Sequence, residues 1–223
     1  MVGHDWIGTA HAPGGVELRL MQRDDEFTIL LEFDELMSTR ASTSERALAT
    51  LTAARLGPQA SPEWLIGGYG MGYTLRAALA ALGDDAVVTV AEIVPEIIEW
   101  ARGPMQALTA DCLDDPRVLL VQEDVALLIG AARDCYDAIL LDVDNGPDGL
   151  VCRENDELYH RDGLHAAMAA LRRGGILAVW SAHGDPASTQ RLSDAGFTVD
   201  QVTALETDHE RGASHVIWFA RKP

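Results

Sequence analysis

From residue 60 onward, short β-branched or apolar runs alternate with alanine- and leucine-rich runs, and this alternation limits the folds open to the chain. The first kind of run predicts strands, at residues 63–68, 86–93, 117–121, 136–142, 176–181, 197–205 and 214–221. The second kind predicts helices, at residues 73–82, after Pro95, and at 125–132, 164–171 and 186–195. Strands separated by helices indicate right-handed crossovers and a parallel sheet covered on both faces.

The last two predicted strands break this alternation. Only residues 206–213 separate them, so they must form an antiparallel hairpin. A dinucleotide-binding Rossmann domain would continue with a further crossover. The pattern therefore predicts a doubly wound, mostly parallel seven-stranded α/β sheet that ends in an antiparallel β-hairpin, as in class I methyltransferase-like folds.

The first 60 residues follow another pattern. Residues 16–23 and 26–33 alternate apolar and polar side chains around a turn, which predicts a β-hairpin. Residues 42–56 predict a helix with Ser42 as N-cap and Glu45 completing a capping box. We therefore divide the chain into a small N-terminal region, 1–60, that covers the site, and a nucleotide-binding catalytic domain, 61–223.

Charge and composition indicate which partners and which cellular location to expect. The net charge of -18 would repel phosphate backbones, so we expect no nucleic-acid substrate. The three cysteines are widely spaced and predict reduced thiols rather than disulfides. No apolar run approaches the roughly 18 residues that a membrane span needs, and no signal segment opens the chain, so we expect a cytoplasmic protein without membrane contact.

A glycine-rich loop follows the first strand of the predicted sheet. Gly68, Gly70 and Gly72 let the backbone turn sharply and approach a ligand at the start of a helix. A dinucleotide fingerprint needs its last glycine where this chain has Tyr73. The loop therefore favours a nucleoside over a pyrophosphate.

Two acidic residues follow the next two strands. Glu92 lies about 20 residues past the glycine loop, where a carboxylate accepts hydrogen bonds from ribose hydroxyls. Asp124 follows the third strand, where it can accept from an adenine amino group, cap the next helix, or do both. Together they predict an adenosyl site.

The fourth strand ends in a polar segment that contains Asp142, Asp144 and Asn145. Ligands of open α/β sheets bind at this edge. One carboxylate can hold an amine while the other takes its proton, since an ammonium is not nucleophilic. The alternative is that Asp144 and Asn145 only form a turn. Tyr159, further along, either walls this pocket or packs in the core.

Five segments, in this order, resemble the spermidine synthase family of aminopropyltransferases: LIGGYGMGYTLRAAL, VAEIVPEII, DDPRV, YDAILLD and GILAVWSA. The resemblance implies a donor such as S-adenosylmethionine or its decarboxylated form, and a small amine as acceptor. It assigns the donor to the glycine loop, Glu92 and Asp124, and catalysis to Asp142 and Asp144.

The chain departs from the family near the acceptor. The family's second aspartate corresponds either to Asp144 or to Asn145, because the loop is shorter here. By the same resemblance Glu45 and Asn145 would contact the acceptor, and Tyr159 is a further candidate because it lies in a second polar loop. Thr43 and Ser44 precede Glu45, where the family has a tyrosine and a polar residue that line the polyamine pocket.

We thus expect an aminopropyltransferase-like enzyme that acts on a small amine. The alternatives are a methyltransferase that uses intact S-adenosylmethionine, and a non-catalytic nucleoside-binding subunit. The histidines lack the spacing of metal ligands, so we expect no metal. A homodimer is compatible with this interpretation.

Overall fold

The computed structural model describes residues 5–32, 34–143, 157–205 and 214–223. Its larger sheet has seven strands, β5 to β11, at Glu63–Gly67, Val87–Ala91, Val118–Val121, Tyr136–Leu141, Leu171–Ser181, Thr198–Leu205 and Ser214–Arg221. Their order across the sheet is β10-β11-β9-β8-β5-β6-β7. Strands β5 to β9 are parallel to one another, and β11 pairs antiparallel with both β9 and β10. This confirms the predicted sheet and its closing hairpin.

Seven α-helices, α1 to α7, lie within the described residues. Their bounds are Thr43–Leu56, Tyr73–Ala81, Pro95–Arg102, Gln106–Thr109, Val125–Ala131, Arg161–Ala170 and Pro186–Asp194. Alternate residues of each buried strand enter two separate cores. In β5, Trp64 and Ile66 belong to one apolar cluster and Leu65 to the other. The first cluster includes side chains of α1, α2 and α3, and the second includes side chains of α5, α6 and α7. The near-continuous apolar strands of the sequence are therefore buried on both faces, as expected for a parallel sheet.

The N-terminal region forms more structure than the sequence predicted. Its four strands, β1 to β4, are antiparallel and lie in chain order at Asp5–His11, Glu17–Arg23, Glu26–Leu31 and Asp34–Ser38. The predicted hairpin is confirmed as β2 and β3, whereas β1 and β4 were not predicted. Register shifts interrupt the pairing of both added strands, and such irregularities weaken the period-2 pattern from which strands are predicted.

Helix α1 begins as predicted, but without the predicted capping box. Ser42 is the N-cap residue and its side chain makes no capping bond. Glu45 instead accepts a hydrogen bond from Ser44 Oγ at 2.7 Å, and both residues are buried. The Ser42 side chain, which is half of the predicted capping box, therefore does not cap the helix.

The two sheets share one apolar cluster. Leu18, Leu20 and Ile29 of the N-terminal sheet belong to the same cluster as Ile66 and Val90 of the larger sheet. The N-terminal sheet thus packs over one end of the larger sheet. The division of the chain at residue 60 into two domains stays a prediction.

Candidate active site

A cleft opens where the strand order of the larger sheet reverses. Strands β5 and β8 are neighbours, and the chain proceeds from β5 to β6 on one side but from β8 to β9 on the other. Such a switch point leaves a crevice at the carboxyl ends of the strands. The empty space in the cleft, part of it open to solvent, amounts to about 1010 Å³. Among the described residues, five acidic side chains line it: Glu45, Glu92, Glu123, Asp124 and Asp142.

The glycine loop joins β5 to α2 and lines part of this cleft. Gly68, Gly70 and Gly72 all have positive φ, at 84°, 53° and 74°. A Cβ on Gly68 would lie 2.5 Å from the backbone oxygen of Asp142, and one on Gly70 would lie 2.8 Å from Met37 Cε. Gly68 and Gly70 line the cleft, whereas Gly72 is the N-cap residue of α2 and does not. The glycines therefore also allow close packing within the chain.

Glu92 lines the cleft just after β6 and is only 7% exposed. Its Oε2 accepts from the backbone N–H of Tyr69, and its Oε1 from that of Val94, both at 2.9 Å. Burial raises the pKa of Glu92, and the backbone amides oppose part of that shift. The backbone amides of Gly70 and Ile93 also lower the pKa of Glu92, so this carboxylate holds the glycine loop while it lines the cleft.

Asp124 lines the cleft after β7 and caps α5. Its Oδ1 accepts from the backbone N–H of Ala126 at 2.8 Å. The helix-capping alternative is therefore present in the structure. Within the part of the chain that the structure describes, the other carboxylate oxygen accepts no hydrogen bond, so it can accept from an amino group.

Asp142 follows β8 and is half-buried beside Gly68. The hydroxyl of Thr74 lies 2.5 Å from Asp142 Oδ2 and 3.2 Å from the backbone oxygen of Glu45. Burial raises the pKa of Asp142 to about 6, against a lowering by the Thr74 hydrogen bond. A carboxylate with this pKa can accept a proton near neutral pH. The structure thus brings Asp142 and Glu45 together, although they are far apart in the sequence.

Other predicted residues are not brought to this cleft. Asp144, Asn145 and the Gly146-Pro147 pair lie outside the described residues. Tyr159 is buried in the core on the side of α6, with Leu164, Val179 and Trp218, and does not line the cleft. Of the two interpretations of Tyr159, the structure supports packing in the core.

Sequence reasoning missed the apolar residues that the N-terminal sheet contributes. We call them the N-terminal wall: Ala12, Pro13, Leu18, Ile29, Leu36 and Met37. The alternation of β2 and β3 marks Leu18 and Ile29 as inward-facing, but only the pairing of β4 brings Leu36 and Met37 to the cleft. Trp180, at the end of β9, completes this side.

The described residues form neither a candidate metal centre nor a membrane-spanning helix. They contain no group of three or more histidine, cysteine or acidic side chains that could hold a metal ion. None of the helices described is both long enough and apolar enough to cross a membrane. The expected lack of a metal stays a prediction.

Comparison with known proteins places this geometry in a family. No family model matches the chain. A polyamine aminopropyltransferase of Mycobacterium tuberculosis is 31% identical over 176 residues, which are 78% of this chain and 32% of that protein. The chain belongs to the spermidine synthase family. It spans about a third of the length of this curated relative.

One relative named for a different reaction and one solved structure are also similar to this chain. A putrescine N-methyltransferase of Nicotiana attenuata is 33% identical over 114 residues, covering 51% of this chain and 29% of its own length. The crystal structure of the spermidine synthase of Thermotoga maritima matches 98% of this chain and 73% of its own, with a TM-score of 0.77 and 19% identity. This chain and that spermidine synthase share their fold.

Proposed function

We propose that this member of the spermidine synthase family transfers an aminopropyl group from decarboxylated S-adenosylmethionine to a small amine. The observation that carries the proposal is Asp142, a half-buried carboxylate with a raised pKa in a cleft whose other polar walls suit a nucleoside. The name of the Mycobacterium tuberculosis relative supports the same reaction.

The cleft fits the nucleoside half of the donor. Ribose hydroxyls and an adenine amino group are hydrogen-bond donors, and Glu92 and Asp124 are acceptors after adjacent strands. Apolar side chains next to these acids, among them Ile93, Ile97 and Val125, suit the faces of a base. Glu92 therefore takes the ribose and Asp124 the adenine edge, while Gly68 and Gly70 leave room along the loop.

Asp142 acts on the acceptor amine. The donor supplies an electrophilic carbon next to a sulfonium sulfur and leaves as methylthioadenosine. A protonated amine has no free lone pair, so Asp142 must first hold the ammonium and then accept its proton. Thr74 fixes the orientation of Asp142, and Glu45 lines the same cleft. By the resemblance to the family, we also assign a role at this site to Asp144 or Asn145, which lie outside the described residues.

Methyl transfer is the second candidate, because one relative is named a putrescine N-methyltransferase. The two reactions share the cleft and differ in the donor. Intact S-adenosylmethionine carries a carboxylate, which Asp142 would repel if the donor's tail lay beside it. The absence of that carboxylate in the decarboxylated donor favours aminopropyl transfer.

Product analysis tests the proposal. The protein is incubated with each donor and a panel of amines, and products are identified by mass spectrometry. Methylthioadenosine supports aminopropyl transfer, S-adenosylhomocysteine alone supports methyl transfer, and neither product with any amine would favour a nucleoside-binding subunit. Asp142→Asn should lower kcat by about 10²–10⁴-fold, the range for a lost acid–base group. Asp134→Asn, an exposed acid before the other end of β8, should leave kcat unchanged.

The cytoplasmic location and the homodimer remain predictions from the sequence. The same holds for the absence of nucleic acid among the partners.

A further inference from the structure

Tyr69 lies inside the glycine loop, between Gly68 and Gly70, but its side chain does not line the cleft. The residue is only 4% exposed, and its ring packs in the apolar cluster behind the loop. The loop turns at this point, because the N–H of Gly72 donates to the backbone oxygen of Tyr69 at 2.8 Å. A Cβ on Gly72 would lie 2.8 Å from Tyr69 Oη. The third glycine of the loop therefore leaves the space that the phenol group occupies.

The hydroxyl of Tyr69 reaches a different part of the chain. Its oxygen lies 3.4 Å from Cys112 Sγ, at the start of a short 3-10 helix, Cys112–Asp114, that follows α4. Burial raises the pKa of both groups, so each stays protonated at neutral pH and either can donate to the other. Helix α4 is bound to α3 in turn, because Thr109 Oγ1 donates to the backbone oxygen of Ala101 at 3.1 Å. The phenol therefore connects the glycine loop to the segment that begins with α3.

The backbone of Tyr69 meets the other end of the same segment. Its N–H donates to Glu92 Oε2, and Glu92 Oε1 accepts from the N–H of Val94, the N-cap residue of α3. Glu92 thus lies between the loop and the start of α3, while the Tyr69 hydroxyl lies at the turn after α4. The two ends of one residue close a ring of contacts around this carboxylate. A movement of the phenol away from Cys112 would therefore also displace the N–H that Glu92 accepts from.

We propose that Tyr69 is a positioning residue for the nucleoside, because its anchored hydroxyl holds the loop backbone against Glu92, the residue assigned to the ribose. This rests on the proposed function, since it concerns the donor site of that reaction. Tyr69 touches no ligand and acts through the loop and Glu92. Loss of its hydroxyl weakens the binding of the donor and leaves the chemistry at Asp142 unchanged.

Tyr69→Phe tests this role, because it removes the hydroxyl and keeps the ring. Calorimetry should show methylthioadenosine bound about three- to tenfold more weakly than by the wild type, the range for the loss of one hydrogen bond. The KM for decarboxylated S-adenosylmethionine should rise by the same factor, while kcat at saturating donor and the KM for the amine stay unchanged. Tyr136→Phe removes a half-buried tyrosine hydroxyl at the opposite end of the sheet, where β8 begins, and should change none of these values.

A double-mutant cycle identifies the contact responsible. Cys112→Ala removes the same contact from the other side, so Tyr69→Phe added to it should cause little further loss of affinity. Cys112→Ser keeps a hydrogen-bonding group and should bind methylthioadenosine more tightly than Cys112→Ala does. The proposal is wrong if folded Tyr69→Phe keeps the wild-type affinity, if the two losses add fully, or if kcat falls while the affinity is unchanged.

These measurements separate two failures. Nucleoside binding without product from any amine would contradict aminopropyl transfer, and the affinity of Tyr69→Phe would still decide the role of Tyr69. Turnover by the wild type with an equal donor affinity in Tyr69→Phe would leave the proposed function intact and contradict only the role of Tyr69. A wild type that binds no methylthioadenosine would contradict both.

Discussion

Two opposing influences act on the ionisation of Asp142. Burial raises its pKa to about 6, and the hydrogen bond from Thr74 lowers it. An aspartate in an unfolded chain titrates near 3.9, so the charged form of Asp142 is less favourable in the folded protein than in the unfolded chain. Its contribution to stability is therefore most favourable below about pH 4 and becomes unfavourable as the pH rises to about 6.

The first prediction concerns this pH dependence. Asp142→Asn should raise Tm relative to the wild type, and the difference should grow between about pH 4 and pH 6 and then stay constant, because asparagine never ionises. Thermal unfolding at a series of pH values measures the difference. A difference that does not change with pH would contradict the raised pKa.

Thr74→Val provides a matched test of the opposing influence. Valine has nearly the shape of threonine but donates no hydrogen bond, so the pKa of Asp142 should rise further. In this variant the loss of stability with pH should extend above pH 6. The acidic limb of the pH–rate profile should shift in the same direction.

At the scale of elements, the turn from β5 into α2 determines the shape of the cleft. Gly68 has a left-handed backbone, and the backbone oxygen of Asp142 lies where a Cβ on Gly68 would stand. The positive φ and the lack of space for a Cβ both come from the packing of the loop against the end of β8. Gly174, in strand β9, also has a positive φ, but a Cβ there would meet nothing within 4 Å.

This pair gives a prediction with its own control. Gly174→Ala should reduce the free energy of unfolding by about 1–2 kcal/mol, the cost of a left-handed backbone. Gly68→Ala should cost at least about 1 kcal/mol more, because the added methyl group overlaps the Asp142 backbone. Denaturant unfolding measures both values. Equal losses would mean that the loop moves freely away from Asp142.

At the scale of the whole molecule, the net charge of -18 governs encounters with other macromolecules. We predict no complex with duplex DNA or with RNA in a gel-shift assay at low salt, where attraction to phosphates would be strongest. A basic protein of similar size is the positive control. Binding in the micromolar range at physiological salt would contradict the prediction.

Much of the fold could be predicted from local patterns. Strands such as β5 and β8 are apolar over most of their length because both of their faces are buried, and this burial is visible in the sequence. The short link before β11 required a hairpin. Gly68, Glu92 and Asp142 could be located because parallel strands place their carboxyl ends at one edge of the sheet.

The sequence by itself therefore determined the class of fold and the strand ends that form the candidate site. Only the tertiary structure decided which side chains meet there. Thr74 joins Asp142 to Glu45, Tyr159 packs away from the cleft, and Leu36 reaches it on a strand without a clear period. The physical reason is that periodicity records whether a residue is buried, whereas contacts between distant residues depend on how whole elements pack.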